Sequence, residues 1–314
     1  MNRYLSTVAT SLMILLSAAC AGDDDEPDAP AGNGASEGPT FPLDADIWVA
    51  ELASIDGTVS LGAPSEAIHR QGYDNQPFFT PDGSAFWFTA LDEHSGQTDI
   101  FRWGFDGAFD QVTNSAPESE YSATPIPDGS GLSVIRVEAD STQRLWKVPF
   151  DGSESTVILS DVAPVGYHAW ASPDTLALFV LGDPPTLQVA DARIGSARIV
   201  AEGIGRSIRT IPGERAVSFV RMPADGPAML TRWDTNGTLT PLVETIGGGD
   251  FHAWTPDGTV LMARGAEIHA WRPGGDGWTL VADLSEHNVR VTRLAVSPDG
   301  RHIAMVVEPG DVTL

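Results

Sequence analysis

Residues 75–103 read NQPFFTPDGSAFWFTALDEHSGQTDIFRW, and this stretch decides the fold. An apolar run ends at Phe79, the tetrad Thr80-Pro81-Asp82-Gly83 follows, and a second apolar run begins at Ala85. Pro is preset for position i+1 of a type I turn, Asp bonds locally, and Gly accepts the left-handed conformation that closes a tight hairpin. A third run, Asp99-Ile100-Phe101, and a fourth around Gln111-Val112-Thr113 complete four short strands. The tetrad then recurs as Ile126-Pro127-Asp128-Gly129, Ser172-Pro173-Asp174-Thr175, Ile211-Pro212-Gly213, Thr255-Pro256-Asp257-Gly258 and Ser297-Pro298-Asp299-Gly300. Successive prolines are 39 to 46 residues apart, the period of propeller blades. Thr175 in the third copy and Gly213 in the fourth break the pattern, so those two hairpins are expected to use other turn geometries.

The third strand recurs as Asp46-Ile47-Trp48, Arg144-Leu145-Trp146, Leu187-Gln188-Val189, Met229-Leu230-Thr231 and Glu267-Ile268-His269. The fourth recurs as Val59-Ser60-Leu61, Thr156-Val157-Ile158-Leu159, Arg198-Ile199-Val200, Thr240-Pro241-Leu242-Val243 and Trp278-Thr279-Leu280-Val281. The chain therefore enters at a third strand and stops after a second one, around 301–307. Joining these half-blades gives an all-β, six-bladed β-propeller whose last blade is closed two-plus-two between the N- and C-terminal segments, which pairs edges that would otherwise be exposed. No stretch of the mature chain holds a 3.6-residue period long enough for a substantial helix.

The turn, the strand after it and the Asp-Ile-aromatic triplet resemble the TolB-like, WD40-like (PD40) β-propeller repeats of bacterial envelope proteins. Residues 75–103 carry the resemblance best, and it extends over about 44–310 with weaker third and fourth copies. It implies the propeller fold. It leaves function open, because that family includes protein-binding scaffolds and the propeller halves of serine peptidases.

The first 40 residues stand apart. In 1–20, Arg3 precedes an apolar stretch of about fifteen residues, shorter than the roughly 20 needed to span a bilayer. It ends in Leu16-Ser17-Ala18-Ala19-Cys20, which resembles a bacterial lipobox and implies lipidation of Cys20, a membrane anchor, and outer-membrane sorting on either the periplasmic face or the cell surface. Cys20 is the only cysteine, so no disulfide can form within the chain. Residues 21–40 hold six acids, no bases and many Pro, Gly and Ala, the composition of a disordered tether. The remaining domain, 41–314, has 17 basic against 37 acidic residues, within a total net charge of −25. Such a surface repels phosphates and argues against a nucleic-acid partner. A self-closing ring is expected to be a monomer.

No nucleophile elbow, His-Glu-x-x-His, phosphate loop or paired cysteine ligands occur, and no catalytic residue is assigned. The candidates are ligand-binding residues on the innermost strands: Glu120, Tyr121, His168, Arg206, His252 and Arg293, with Gln76, Tyr167, Asp250 and Phe251 beside them. Two blades share His-Ala-Trp, at 168–170 and 252–254, which sets two imidazoles toward one axis. These histidines either form a channel-mouth site with Arg, Tyr and carboxylate, or satisfy backbone groups while Trp170 and Trp254 fill space between blades. Three functions follow. The first is a non-enzymatic envelope lipoprotein, without cofactor, that binds a protein or peptide. The second is a lyase or hydrolase on acidic glycan, using the histidines or a divalent metal ion in the channel. The third is a small-ligand sensor in the central funnel.

Overall fold

Strand-forming runs separated by Pro-Asp-Gly turns give six antiparallel sheets set around an axis. The computed structural model describes residues 45–92 and 95–310. The leader, Cys20, the tether and His94 lie outside the described residues. Blade 1 comprises Asp74–Phe79, Ala85–Asp92, Gln97–Gly104 and Phe109–Gln111, from the axis outward. Blade 2 has Ser119–Pro125, Gly131–Val137, Gln143–Pro149 and Thr156–Val157; blade 3 has Val165–Ser172, Thr175–Val180, Thr186–Asp191 and Ala197–Glu202. Blade 4 has Ile204–Thr210, Ala216–Arg221, Met229–Asp234 and Leu239–Glu244; blade 5 has His252–Trp254, Val260–Arg264, Glu267–Trp271 and Thr279–Asp283.

Blade 6 is built from both ends. Val289–Val296 and His302–Pro309 supply its inner half, and Asp46–Ile55 with Thr58–Leu61 supply the outer half. The seam runs antiparallel from Asp46 opposite Val307 to Glu51 opposite His302. Each innermost strand packs against the innermost strands on both sides, so the ring is closed. One strand goes beyond the sequence reading: Ser65–Ile68 pairs with the first half of Asp46–Ile55, while Thr58–Leu61 covers its second half. The break between them contains Pro64, which has no N–H to give a ladder.

The core is not central. Alternate residues of each strand face opposite sides of the sheet, and both sides of a blade meet a neighbour. Six apolar clusters result, one in each gap between blades. Phe86 and Phe88 fill the gap between blades 6 and 1, and Phe219 and Trp233 fill that between 3 and 4.

The turns obey their residues. In blades 1, 2, 5 and 6 the Gly N–H donates to the carbonyl three residues back, at 2.9 to 3.0 Å, and Gly83 has φ of 71°. In blade 4 the left-handed residue is Gly213, φ 74°, one place earlier, which makes a type II turn. Blade 3 closes by pairing Ser172 with Thr175 directly. These turns put the prolines on one face of the ring. The starts of the innermost strands open on the other.

Candidate functional site

Five innermost strands carry a bulge before they reach the turn: at 75–78, 121–124, 165–167, 204–208 and 291–293. A bulge leaves a residue unpaired and re-aims the side chains beside it. Gln76 and Ser122 sit at positive φ there, 59° and 57°. Gln76 Oε1 accepts from Ser122 N–H at 2.7 Å and from Ser122 Oγ at 2.8 Å, stitching blade 1 to blade 2 at the channel wall. The channel then reads, blade by blade, Gln76, Ser122, Tyr167, Arg206 with Arg209, Phe251 and Arg293.

Arg293 crosses the channel. Its Nη2 donates to Tyr167 Oη at 3.0 Å, joining blade 6 to blade 3 opposite, and its guanidinium lies 4.0 Å from the centre of the Phe251 ring. Arg206 lies over the same ring at 5.5 Å, its backbone N–H donating to Asp250 Oδ2 at 2.9 Å and its Nε 3.6 Å from that oxygen. Arg209 stands deeper, donating from Nε to His252 carbonyl at 3.1 Å and from Nη2 to Leu294 carbonyl at 3.4 Å. Burial lowers its pKa to about 10, and the Arg293 charge pushes the same way; it remains a cation at neutral pH. Among the described residues, neither Arg209 nor Arg293 forms an ion pair with a carboxylate. A strongly acidic domain thus holds on its axis two guanidiniums with no carboxylate in direct contact, Asp250 acting on Arg293 from a distance.

This cationic axis divides the channel in two. Toward the strand starts is a polar mouth of about 40 Å³ lined by Gln76, Ser122, Tyr167, Arg206, Phe251 and Arg293. Toward the turns is a larger cavity of about 420 Å³. Arg209 lines both.

The two histidines are fixed between blades. His168 Nε2 lies 2.7 Å from Ser133 Oγ, which also accepts Trp170 Nε1–H at 3.0 Å. His252 Nε2 lies 2.7 Å from Ser218 Oγ, which accepts Trp254 Nε1–H at 2.8 Å. Each serine is on the second strand of one blade, and each His-Ala-Trp is on the first strand of the next. One hydroxyl therefore fastens two side chains across a gap. Burial lowers both imidazole pKa values to about 3, with the Arg209 charge adding to the effect on His252. His168 still borders both cavities. Ser218→Ala leaves Trp254 and His252 without their shared oxygen and is expected to cost about 2–3 kcal/mol in urea unfolding; a loss under about 0.5 kcal/mol would refute the fastening role.

Glu120 lies away from both cavities. It is fully buried, with Arg136 Nη2 at 2.7 Å, and Arg136 also reaches Glu118 at 3.1 Å and lies over the Trp146 ring at 4.5 Å. Burial, then the adjacent Glu120, raises the pKa of Asp99 to about 6. Tyr121 is half-buried outside both cavities, its phenol pKa raised by burial and, to a smaller extent, by the Tyr167 phenol. The structure thus brings Arg206 and Arg293 together at the mouth, with Tyr167, Phe251 and Asp250. It keeps Glu120 apart. Arg209 escaped the sequence reading because the bulge at 204–208 shifts which residues face the axis.

No three His, Cys, Asp or Glu side chains come together as a metal-ligand group among the described residues. The channel's polar groups are guanidinium, amide, hydroxyl and imidazole, its one nearby carboxylate, Asp250, is held by Arg206, and cations stand among them, so the set does not fit a divalent metal ion. No helix among the described residues is long and apolar enough to cross a membrane.

No family model matches the chain, and no curated protein matches it by sequence. Solved structures match its shape. TolB from Acinetobacter baumannii is similar at 13% identity and a TM-score of 0.56, over 84% of this chain and 64% of that one. The chain thus spans less than two thirds of that TolB. A candidate TolB from Agrobacterium tumefaciens is similar at 14% identity and a TM-score of 0.63, over 84% of this chain and 98% of that one. An oligogalacturonate lyase solved with manganese is similar at 13% identity and a TM-score of 0.54, over 78% and 80%. At such identities the likeness establishes a TolB-like six-bladed propeller scaffold, and the fold alone.

Proposed function

We propose that this chain is a non-enzymatic lipoprotein of the cell envelope, fixed at Cys20 to the outer membrane, whose propeller binds a protein or peptide partner by a single carboxylate at the polar mouth. The observation that carries this reading is Arg293: a cation on the axis with no carboxylate in contact, one N–H committed to Tyr167, and an aromatic ring beneath it. A fork of N–H donors of this kind matches a carboxylate, and low-dielectric walls strengthen the bond. Arg206, two blades away on blade 4, also lines the entrance.

Charge selects the class of partner. The domain is about twenty charges negative, so a polyacidic chain is repelled at long range, whereas one carboxylate, such as a peptide C-terminus, meets little resistance. That consideration weighs against an acidic glycan. The mouth also has room for only a few water-sized groups, which suits a carboxylate better than a sugar ring.

A panel of short peptides with either a free C-terminal acid or an amide tests this by calorimetry. Free acids are expected to bind at least tenfold tighter than their amides, and Arg293→Ala is expected to remove that difference. Equal binding of acid and amide by the unmodified protein would overturn the proposal.

A further inference from the structure

The cavity on the turn-bearing face is a separate site. Its walls are the last residues of the innermost strands and the turn prolines, chiefly Phe78, Ile208, Pro212, Ala253, Pro256 and Val296. Its volume of about 420 Å³ falls within the roughly 300–1,000 Å³ typical of small-molecule sites, which are mostly apolar with a few placed polar groups. The placed group here is Arg209. Two of its nitrogens hold the carbonyls of His252 and Leu294, which fixes the guanidinium across blades 5 and 6, and Nη1 has no hydrogen-bond partner among the described residues.

We infer that this funnel binds a small amphipathic carboxylic acid, its apolar body against the funnel walls and its carboxylate on Arg209. An apolar body alone would leave the guanidinium beneath it without a counter-charge, at the cost that attends any buried unpaired ion. A polar anion alone would leave the apolar walls wet. Only a molecule with both parts satisfies both surfaces. The peptide-binding mouth lies beyond Arg209 on the opposite side of the ring and rests on Arg293, so the two readings stand or fall separately.

Sodium octanoate and 1-octanol, titrated calorimetrically into the purified domain, are the probes. Octanoate is expected to bind at one site, at least tenfold tighter than octanol. Arg209→Gln is expected to bring octanoate down to the level of octanol, and Val296→Trp to fill the funnel and abolish both. Val296→Trp keeps the test open should Arg209→Gln fail to fold. Absence of saturable binding, equal binding of acid and alcohol, or octanoate binding that survives Val296→Trp would each overturn the proposal.

Discussion

Val306→Asp is expected to unfold the ring at room temperature or to bring it close to doing so. Val306 is fully buried, pairs with Ile47 across the seam, and packs in the cluster that holds Phe79, Phe86 and Phe88 between blades 6 and 1. A carboxylate there has no cation in the cluster to meet. The cost of an unpaired buried charge, together with the lost methyl packing, is about 4 kcal/mol or more, against a total stability of roughly 5–15 kcal/mol. The seam makes the loss global: once the two terminal segments separate, the clusters on both sides of blade 6 open together. Ile199→Asp, on the exposed outer strand of blade 3, is the control and is expected to change stability by less than about 0.5 kcal/mol. Denaturant titration of both variants decides the matter, and a loss below about 1 kcal/mol for Val306→Asp would show that the seam does not hold the ring.

The second large effect is a reversal in the pH dependence of stability. His168 and His252 have folded-state pKa values near 3 against about 6.5 unfolded, so the unfolded chain takes up protons first. Their contribution is intact above about pH 6.5 and is lost as pH falls toward 3. At pH 5 the loss is roughly 2 kcal/mol for each histidine. Asp74 and Asp99 work the other way. Burial raises both to about 6, with Arg70 opposing the rise at Asp74 and Glu120 adding to it at Asp99. The folded chain therefore protonates first, and each gains about 1 kcal/mol as pH falls from 7 to 5. The aspartates with lowered pKa stay ionised in both states above pH 5 and drop out of the comparison. The unmodified protein is thus expected to lose about 2 kcal/mol between pH 7 and 5, whereas the double variant His168→Gln, His252→Gln gains about 2 kcal/mol over the same range. Urea titrations at the two pH values measure both slopes. Parallel slopes would mean that the imidazoles titrate as exposed groups.

Much of the fold was legible because its determinants are local. A Pro-Asp-Gly turn needs only its own residues, and six copies at blade spacing leave little freedom in how the strands pair. The different hairpins at Thr175 and Gly213 were foreseeable for the same reason, and blade 4 indeed moves its left-handed residue to Gly213. The inserted strand Ser65–Ile68 was not legible, since it depends on the ten-residue length of its partner Asp46–Ile55. The channel was legible in outline and obscure in detail. Period-two counting fails across bulges, which is why Arg209 faces the axis unannounced and Glu120 points into a gap between blades. The paired His-Ala-Trp triplets were visible as a repeat, but the serines that anchor them, Ser133 and Ser218, lie 35 and 34 residues away and carry no signal of their own.

The seam's direction has a mechanical corollary. Asp46, at the leading end of one strand, lies opposite Val307, near the trailing end of the other, so both chain ends leave the ring at the same corner. Tension between those ends would part the ladder rung by rung, like a zip, and would meet one hydrogen-bonded pair at a time. Drag carried by the leading end alone would place no such peeling load on the join.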